Sequence, residues 1–273
     1  MSRAPVADSA VQPPLRVENL SCGVTGKSIL SGVSFSMERG ELRAVIGLNG
    51  AGKSTLVRCV SGVARINGGA VRLFGRDQPS LSRRELAGLV CHVPQTLGNP
   101  PAFTVRDFVG MGRYAHAGFW QVLSRRDRER TDAALELAGV ARLAGRTLPT
   151  LSGGEMRLVA IAAGLAQEAE LLLLDEPSAF LDPFHQDLLL DLIRKLNREQ
   201  GISLLIVTHD VNLAMLFTHR TLALREGKVV YDGPSAGLSR GDALERIYGM
   251  RFGLLPAEGA DRFLAVSEKY SSC

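Results

Sequence analysis

The chain has 273 residues, 45% of them hydrophobic, and a formal net charge of +4, which suits one globular core with a subdomain and short tails. Its Lys and Arg residues are interspersed with Asp and Glu rather than gathered in a block, a weak pointer to nucleic acid that an anionic nucleotide or lipid headgroup satisfies equally. Four scattered cysteines, Cys22, Cys59, Cys91 and Cys273, lack any C-x-x-C spacing, which argues against a disulfide framework or a zinc site and for reduced thiols filling the core.

Met1 to Pro14 is small, polar and Pro-containing with no apolar h-region, so residues 1–14 are expected as a disordered tail of a cytoplasmic protein rather than a secretory signal. Leu15 to Glu41 alternates apolar and polar residues around a turn at Gly23 to Lys27, the pattern of an antiparallel β layer, and Met37-Glu38-Arg39-Gly40 supplies a second turn. Arg43 to Ile46 is β-prone, Gly47 to Gly52 is too glycine-rich for regular structure, and Lys53 to Ser61 has helical composition. That order of strand, glycine-rich loop and helix is the context of a P-loop.

From Ser124 the charged run Arg-Arg-Asp-Arg-Glu-Arg-Thr-Asp opens a helix whose apolar face holds Ala133, Ala134, Leu135, Leu137 and Ala138, and a helical subdomain is predicted over about residues 100–167. Leu171 to Asp175 leading to a helix near His185 to Arg198, and Ile202 to Thr208 leading to Val211 to Phe217, repeat strand then helix. The greasiest runs, Leu171 to Leu174 and Leu204 to Val207, have the length of buried parallel strands and fall far short of the roughly 20 apolar residues of a membrane span. The predicted fold class is therefore α/β: a P-loop nucleotide-hydrolase core with a mostly parallel sheet, an N-terminal antiparallel β layer and an inserted helical subdomain. No internal repeat accompanies it.

Gly47-Leu48-Asn49-Gly50-Ala51-Gly52-Lys53-Ser54-Thr55 fits G-x-x-x-x-G-K-[ST], a pattern that arises by chance in about one chain per hundred at average residue usage. Its glycines let backbone N–H groups wrap phosphate oxygens at a helix N-terminus, with Lys53 reaching the β- and γ-phosphates and Ser54 a Mg²⁺ ion. Leu171 to Pro177 places Asp175 and Glu176 just past an apolar strand, at the sheet edge where ligands of such folds collect. Asp175 is expected to hold Mg²⁺ and Glu176 to polarise the attacking water. Taken alone, an apolar strand ending in Asp-Glu-Pro is more often a strand terminus entering a loop, and the P-loop upstream reverses those odds. Leu151-Ser152-Gly153-Gly154-Glu155 sets two glycines beside a hydroxyl at a helix start, again suited to phosphate. Helix capping accounts for Ser152 and leaves the paired glycines unexplained.

With these motifs in order, the sequence resembles an ATP-binding-cassette (ABC) ATPase over about Leu15 to Gly249. The carriers are Gly47 to Thr55, Gln95, Leu151 to Glu155, Leu171 to Pro177, Ser178 to Asp182 and His209. The resemblance implies one nucleotide-binding domain over residues 15–250, with residues 251–273 as a C-terminal extension of open role. It also implies a head-to-tail dimer in which the phosphate loop of one copy and Ser152-Gly153-Gly154-Glu155 of the other enclose each ATP. Gln95 matches the family's sensor of Mg²⁺ and nucleotide, His209 the switch histidine at the γ-phosphate, and Asp182 the loop that crosses the dimer interface. A lone histidine after a strand is otherwise structural or solvated, and Asp182 before Pro183 also reads as a helix N-cap.

Two departures stand out. Gly23-Val24-Thr25 occupies the turn where the family often has an adenine-stacking aromatic. Met156-Arg157-Leu158 and Ile161-Ala162-Ala163-Gly164-Leu165 replace the family's x-Gln-Arg and Ile-Ala-Arg-Ala-Leu.

Within the family, Phe103-Thr104-Val105-Arg106-Asp107 with Met111-Gly112-Arg113-Tyr114, Phe180-Leu181-Asp182 with His185-Gln186, and Ile247-Tyr248-Gly249 resemble ATPases of importers for iron chelates (siderophores), haem and cobalamin. Phe103, Val105, Phe108 and Met111 also fit the core face of a helix. The implied partners are a second copy, a dimeric transmembrane permease gripped near Gln95 to Gly112 and, indirectly, an extracytoplasmic substrate-binding protein. The implied place is peripheral, on the cytoplasmic side of the cell membrane, with ATP and Mg²⁺ as cofactors and no nucleic acid. The alternatives are a zinc or manganese importer, or a non-transport ABC ATPase acting on nucleic acid or ribosomes. The latter generally carry a coiled-coil insertion or a second cassette, which this sequence lacks.

Overall fold

The computed structural model describes residues 12–24, 26–96, 98, 101–116, 122–256 and 263–267. Most of the expected N-terminal tail, together with Thr25 and Cys273, lies outside them. Strands β1 (Leu15–Val24) and β2 (Lys27–Met37) form an antiparallel hairpin running from Leu15 opposite Met37 to Val24 opposite Lys27. The apolar members of the alternation, Leu15, Val17, Leu20, Leu30, Val33 and Met37, all turn inward. Strand β3 (Leu42–Ile46) is buried at every position and feeds α1 (Lys53–Val60). After it, β4 (Gly68–Leu73) and β5 (Arg76–Asp77) complete a four-stranded antiparallel sheet of order β2-β1-β4-β5.

A short helix, α2 (Arg83–Leu89), leads into β6 (Val90–Val93). Three helices then follow without an intervening strand: α3 (Val105–Met111), α4 (Arg125–Leu137) and α5 (Gly153–Ala166). Each starts at a side chain that satisfies an otherwise orphaned N–H, Thr104 for α3 and full capping boxes Ser124/Asp127 and Ser152/Glu155 for α4 and α5. Val105, Val109, Leu135, Val159 and Ile161 join them in one buried cluster. Phe103 lies ahead of α3 and remains exposed, so it does not belong to the core face on which the sequence pattern set it. The three buried cysteines, Cys22, Cys59 and Cys91, are free thiols.

The rest of the core alternates strand and helix: β7 (Leu171–Asp175), α6 (Pro183–Gln200), β8 (Ser203–Val207), α7 (Val211–Phe217), then β9 (Arg220–Arg225) and β10 (Lys228–Pro234). These join β3 and β6 in a six-stranded sheet of order β10-β9-β3-β8-β7-β6, parallel except at the β9/β10 edge. Leu171 to Leu174 have no exposed surface, and each such leucine contributes about 2 kcal/mol by leaving water. A strand buried on both faces explains the unbroken apolar run. Last come α8 (Ala243–Tyr248) and a hairpin of β11 (Phe252–Pro256) with β12 (Phe263–Ser267). The hairpin is pinned to α7, where the Asn212 side chain donates to Ala265 O at 3.2 Å and accepts from Ala265 N at 2.7 Å.

Candidate functional site

Strands β3, β8 and β7 are adjacent and parallel, so the loops leaving their carboxyl ends converge. Val45 pairs with Val207 and Val207 with Asp175, which sets Gly47, His209 and Glu176 at one edge of the sheet. The Gly47–Thr55 loop leaves β3 with Gly47, Gly50 and Gly52 at φ of 141°, 81° and 101°. A Cβ at Gly47 would lie 2.1 Å from the Leu224 carbonyl oxygen, and one at Gly52 2.6 Å from Leu30 Cδ2. Both glycines are thus required by backbone conformation and by space.

Lys53 opens α1 and curls back over the loop, donating to Gly47 O at 2.8 Å and Leu48 O at 3.1 Å. Burial pulls its ammonium below the ordinary lysine value, against the opposing pull of the Glu176 and Asp175 carboxylates. The next residue, Ser54, donates to Asp175 Oδ1 at 3.3 Å. This hydroxyl and carboxylate beside a phosphate cradle are hard oxygen donors of the kind Mg²⁺ takes alongside phosphate oxygens.

Glu176 follows β7 with φ of +47°, a conformation costly for a residue with a side chain and held here because its N–H donates to Val207 O at 2.9 Å. The bend aims its carboxylate at His209, whose Nδ1 is 2.6 Å from Glu176 Oε2. Glu176 is mostly shielded while His209 is largely exposed. A carboxylate anchored at the sheet edge and bonded to an accessible imidazole can bind and orient a water molecule there.

These groups line a cleft of about 1290 Å³ with Asn49, Gly50, Gly52, Ser54, Thr55, Gln95, Glu176 and His209 in its wall, while Lys27, Ser28, Ile29 and Glu226 also border it. Val24 is exposed at the turn after β1, and Phe180 is the one Phe, Tyr or Trp among the described residues lining the cleft. Gln95 is fixed from behind by a residue that the motif reading named only as a departure from the family pattern. Arg157 on α5 donates to Pro94 O at 2.8 Å and Gln95 O at 2.5 Å, and burial lowers its guanidinium's pKa despite nearby Asp175. In sequence the signal was the departure Met156-Arg157-Leu158 itself, although nothing there named Arg157's partner.

Asp182 caps α6, accepting from His185 N at 3.0 Å and contacting His185 Nδ1 at 2.6 Å. Those bonds hold its carboxyl below the usual range, the backbone N–H first. Ser152 to Glu155, by contrast, lie outside the cleft wall. Ser152 and Glu155 are engaged in their capping box, with Ser152 N to Glu155 Oε2 at 3.0 Å and Glu155 N to Ser152 Oγ at 3.2 Å. Arg146 lies 3.4 Å from the Glu155 carboxylate. One chain therefore assembles Gly47 to Thr55, Gln95, Asp175, Glu176 and His209, and leaves Ser152, Gly153, Gly154 and Glu155 apart.

A strand-loop-helix phosphate cradle on β3, with a carboxylate pair at the end of β7 two strands away across β8, defines a P-loop nucleotide hydrolase. A family model described as ABC transporter matches residues 30–179, and the chain belongs to that family of nucleotide-binding ATPase cassettes. It is 38% identical over 234 residues to the iron(3+)-hydroxamate import ATP-binding protein FhuC of Bacillus subtilis, covering 86% of this chain and 87% of the relative. The hemin import ATP-binding protein HmuV of Burkholderia thailandensis is 38% identical over 260 residues, with 89% and 96% covered. The phosphonates import ATP-binding protein PhnC 1 of Rhodopseudomonas palustris is 40% identical over 246 residues, with 86% covered on both sides.

Among solved structures, an inward-facing metal-chelate type ABC transporter superposes with a TM-score of 0.82 at 27% identity, covering 94% of this chain and 99% of that one. The dimeric structure of the bacterial ABC transporter cassette MJ0796 gives 0.72 at 26% identity, covering 83% and 99%. No helix among the described residues is long and apolar enough to cross a membrane.

Proposed function

We propose that this chain is the ATP-hydrolysing subunit of an importer for an iron chelate or haem, acting as a head-to-tail pair on a transmembrane permease at the cytoplasmic face of the membrane. The observation that carries the hydrolytic part is the Glu176–His209 contact of 2.6 Å at the mouth of a glycine-built phosphate cradle. In this reading the amides of Asn49 to Thr55 wrap the β- and γ-phosphates, and Lys53 turns from its own loop carbonyls to the phosphate oxygens. Ser54, Asp175 and Gln95 would hold Mg²⁺, which would neutralise phosphate charge when bound. Glu176 orients a water in line with the γ-phosphorus, and His209 holds that carboxylate and senses the phosphate. Ser152 to Glu155 close over the ATP of the other copy, and Asp182 reaches across the interface. Residues 15–250 make up this unit, its helical part lying near residues 100–167.

The cargo class rests on likeness to FhuC and HmuV and to the metal-chelate type transporter. A second reading, a phosphonate importer, is favoured by the 40% identity to PhnC 1. Purification from membranes with the bound permease, followed by ATPase assays in liposomes, separates the two. Stimulation by a ferric hydroxamate or haem supports the first reading and stimulation by alkylphosphonates the second, while co-purification with ribosomes or DNA in place of a membrane protein overturns both.

A further inference from the structure

The paired glycines at the start of α5 have different surroundings. A Cβ at Gly153 would meet nothing within 4 Å, whereas one at Gly154 would lie 2.4 Å from both Cγ and Cδ2 of His185 and 2.9 Å from its Cβ. Gly153 is exposed and Gly154 buried. Gly153 therefore keeps its face open for a ligand, and Gly154 is small because an imidazole from another helix occupies the place of its side chain. That imidazole is held by Nδ1, 2.6 Å from Asp182 Oδ2, and the residue that carries it is anchored at the helix start, where the His185 backbone N–H donates to Asp182 Oδ1 at 3.0 Å. The Phe184 ring stands edge-on to it at 5.5 Å.

We infer that His185 is a positioning residue that locks the Ser152–Glu155 segment to the Asp182 loop of the same chain. The inference rests on the roles proposed above for those two segments. Each faces the other copy in the dimer, one toward its ATP and the other across the interface. A ring wedged between them makes the two move as one body, so that closure of Gly153 on the partner's nucleotide also sets Asp182. Without the ring, α5 and the start of α6 lose a shared restraint and shift independently by less than the roughly 1 Å that costs on the order of a hundredfold in rate at such a site.

The test is a double-mutant cycle on the full-length protein in its permease complex, reading kcat and KM for ATP. G154A is expected to lower kcat by about a hundredfold. H185A is expected to lower kcat by about fivefold with KM unchanged, because the cradle that binds ATP is untouched. The double variant should return to the level of H185A alone, since removing the ring leaves only a 2.9 Å approach between Cβ positions, which a small shift relieves. H185N keeps a Cγ over Gly154 and an amide nitrogen near the place of Nδ1, so it should retain most of the activity and fail to rescue G154A.

If G154A does not fold, the same cycle is read in melting temperature and soluble yield, with rescue by H185A expected again. Equal damage from G154A in the presence and absence of the His185 ring would overturn the inference. A wild type that hydrolyses ATP and a Glu176→Gln variant that does not would show that the site reading survives that failure.

Discussion

The two halves of the site are built on opposite principles. Around Gly47 to Thr55 the functional groups are tied to one another across three adjacent strands: Lys53 to Gly47 and Leu48, Ser54 to Asp175, Glu176 to His209. Around Ser152 the polar side chains are spent locally on capping α5, and the segment borders no part of the cleft. The first half holds its chemistry within one chain. The second is a finished helix start with an open glycine, which in the proposed function acts only when the other copy brings a phosphate to it. Under the proposed function, nucleotide binding and the completed catalytic site would be separated, and closure of two copies would gate hydrolysis.

The strongest way to break that division is Glu176→Gln. It keeps the cradle and the shape of the β7 end while removing the carboxylate, so turnover should fall by at least about a thousandfold with ATP affinity retained. ATP should then trap a stable dimer detectable by light scattering, and full turnover would end the catalytic assignment. Lys53→Met attacks the same half differently. Its turnover should fall by about a hundredfold or more through lost phosphate contact, and the nucleotide-free protein should melt about 1–3 °C higher, because a buried ammonium is removed.

The sign of the linkage follows from burial. Lys53 titrates below the ordinary value of 10.5 when folded, so between its folded value and 10.5 the unfolded chain binds the extra proton and stability rises with pH. Lys53→Met should lack that alkaline gain, as melting curves of the two proteins across pH would reveal.

How much of this was legible beforehand depends on which residues carry their meaning locally. The phosphate loop was legible because glycine spacing, lysine and hydroxyl lie within nine consecutive residues directly after a β-prone run, and the Leu171 to Asp175 strand because its apolar run ends where the chemistry begins. Strands β4, β5, β6, β9 and β10 went unread. Val90-Cys91-His92-Val93 has neither strict alternation nor sufficient length, and β5 is only two residues. Helix α2 was recoverable, since Ser82-Arg83-Arg84-Glu85 is a capping box that the structure forms. Arg157 beneath Gln95 and His185 over Gly154 were not, because each pairs residues tens of positions apart and only the fold reveals the partner.

Arg157→Ala sharpens the comparison at the joint between the halves. Its two bonds to Pro94 O and Gln95 O tie α5, which Ser152 caps, to the Gln95 loop at the wall of the cleft. Truncation leaves two partly buried carbonyls without that partner, and the loop gains freedom. The expected result is a kcat about tenfold lower with a smaller change in KM, and less stimulation by the permease in liposomes. Unchanged stimulation would mean that Arg157 serves packing alone.

The smallest expected effect concerns the base rather than the phosphates. Val24 is 60% exposed at the turn after β1, and Lys27, Ser28 and Ile29 from the adjoining strand border the cleft, so the turn offers an aliphatic side chain where a stacking ring could stand. Val24→Tyr should lower KM for ATP by about three- to tenfold, since aromatic stacking on a base contributes about 1–3 kcal/mol and part of that is lost in ordering an exposed ring. The value of kcat should not change, because the ring stabilises bound nucleotide and its transition state equally. The wild type should discriminate weakly between ATP and GTP, having little at this turn beyond an aliphatic contact, and stacking alone should leave that ratio nearly unchanged in the variant because every base has a π-face. A KM that stays fixed on adding the ring would place the base elsewhere along the cleft, toward Glu226, and Glu226→Gln would then be the substitution that moves the ATP-to-GTP ratio.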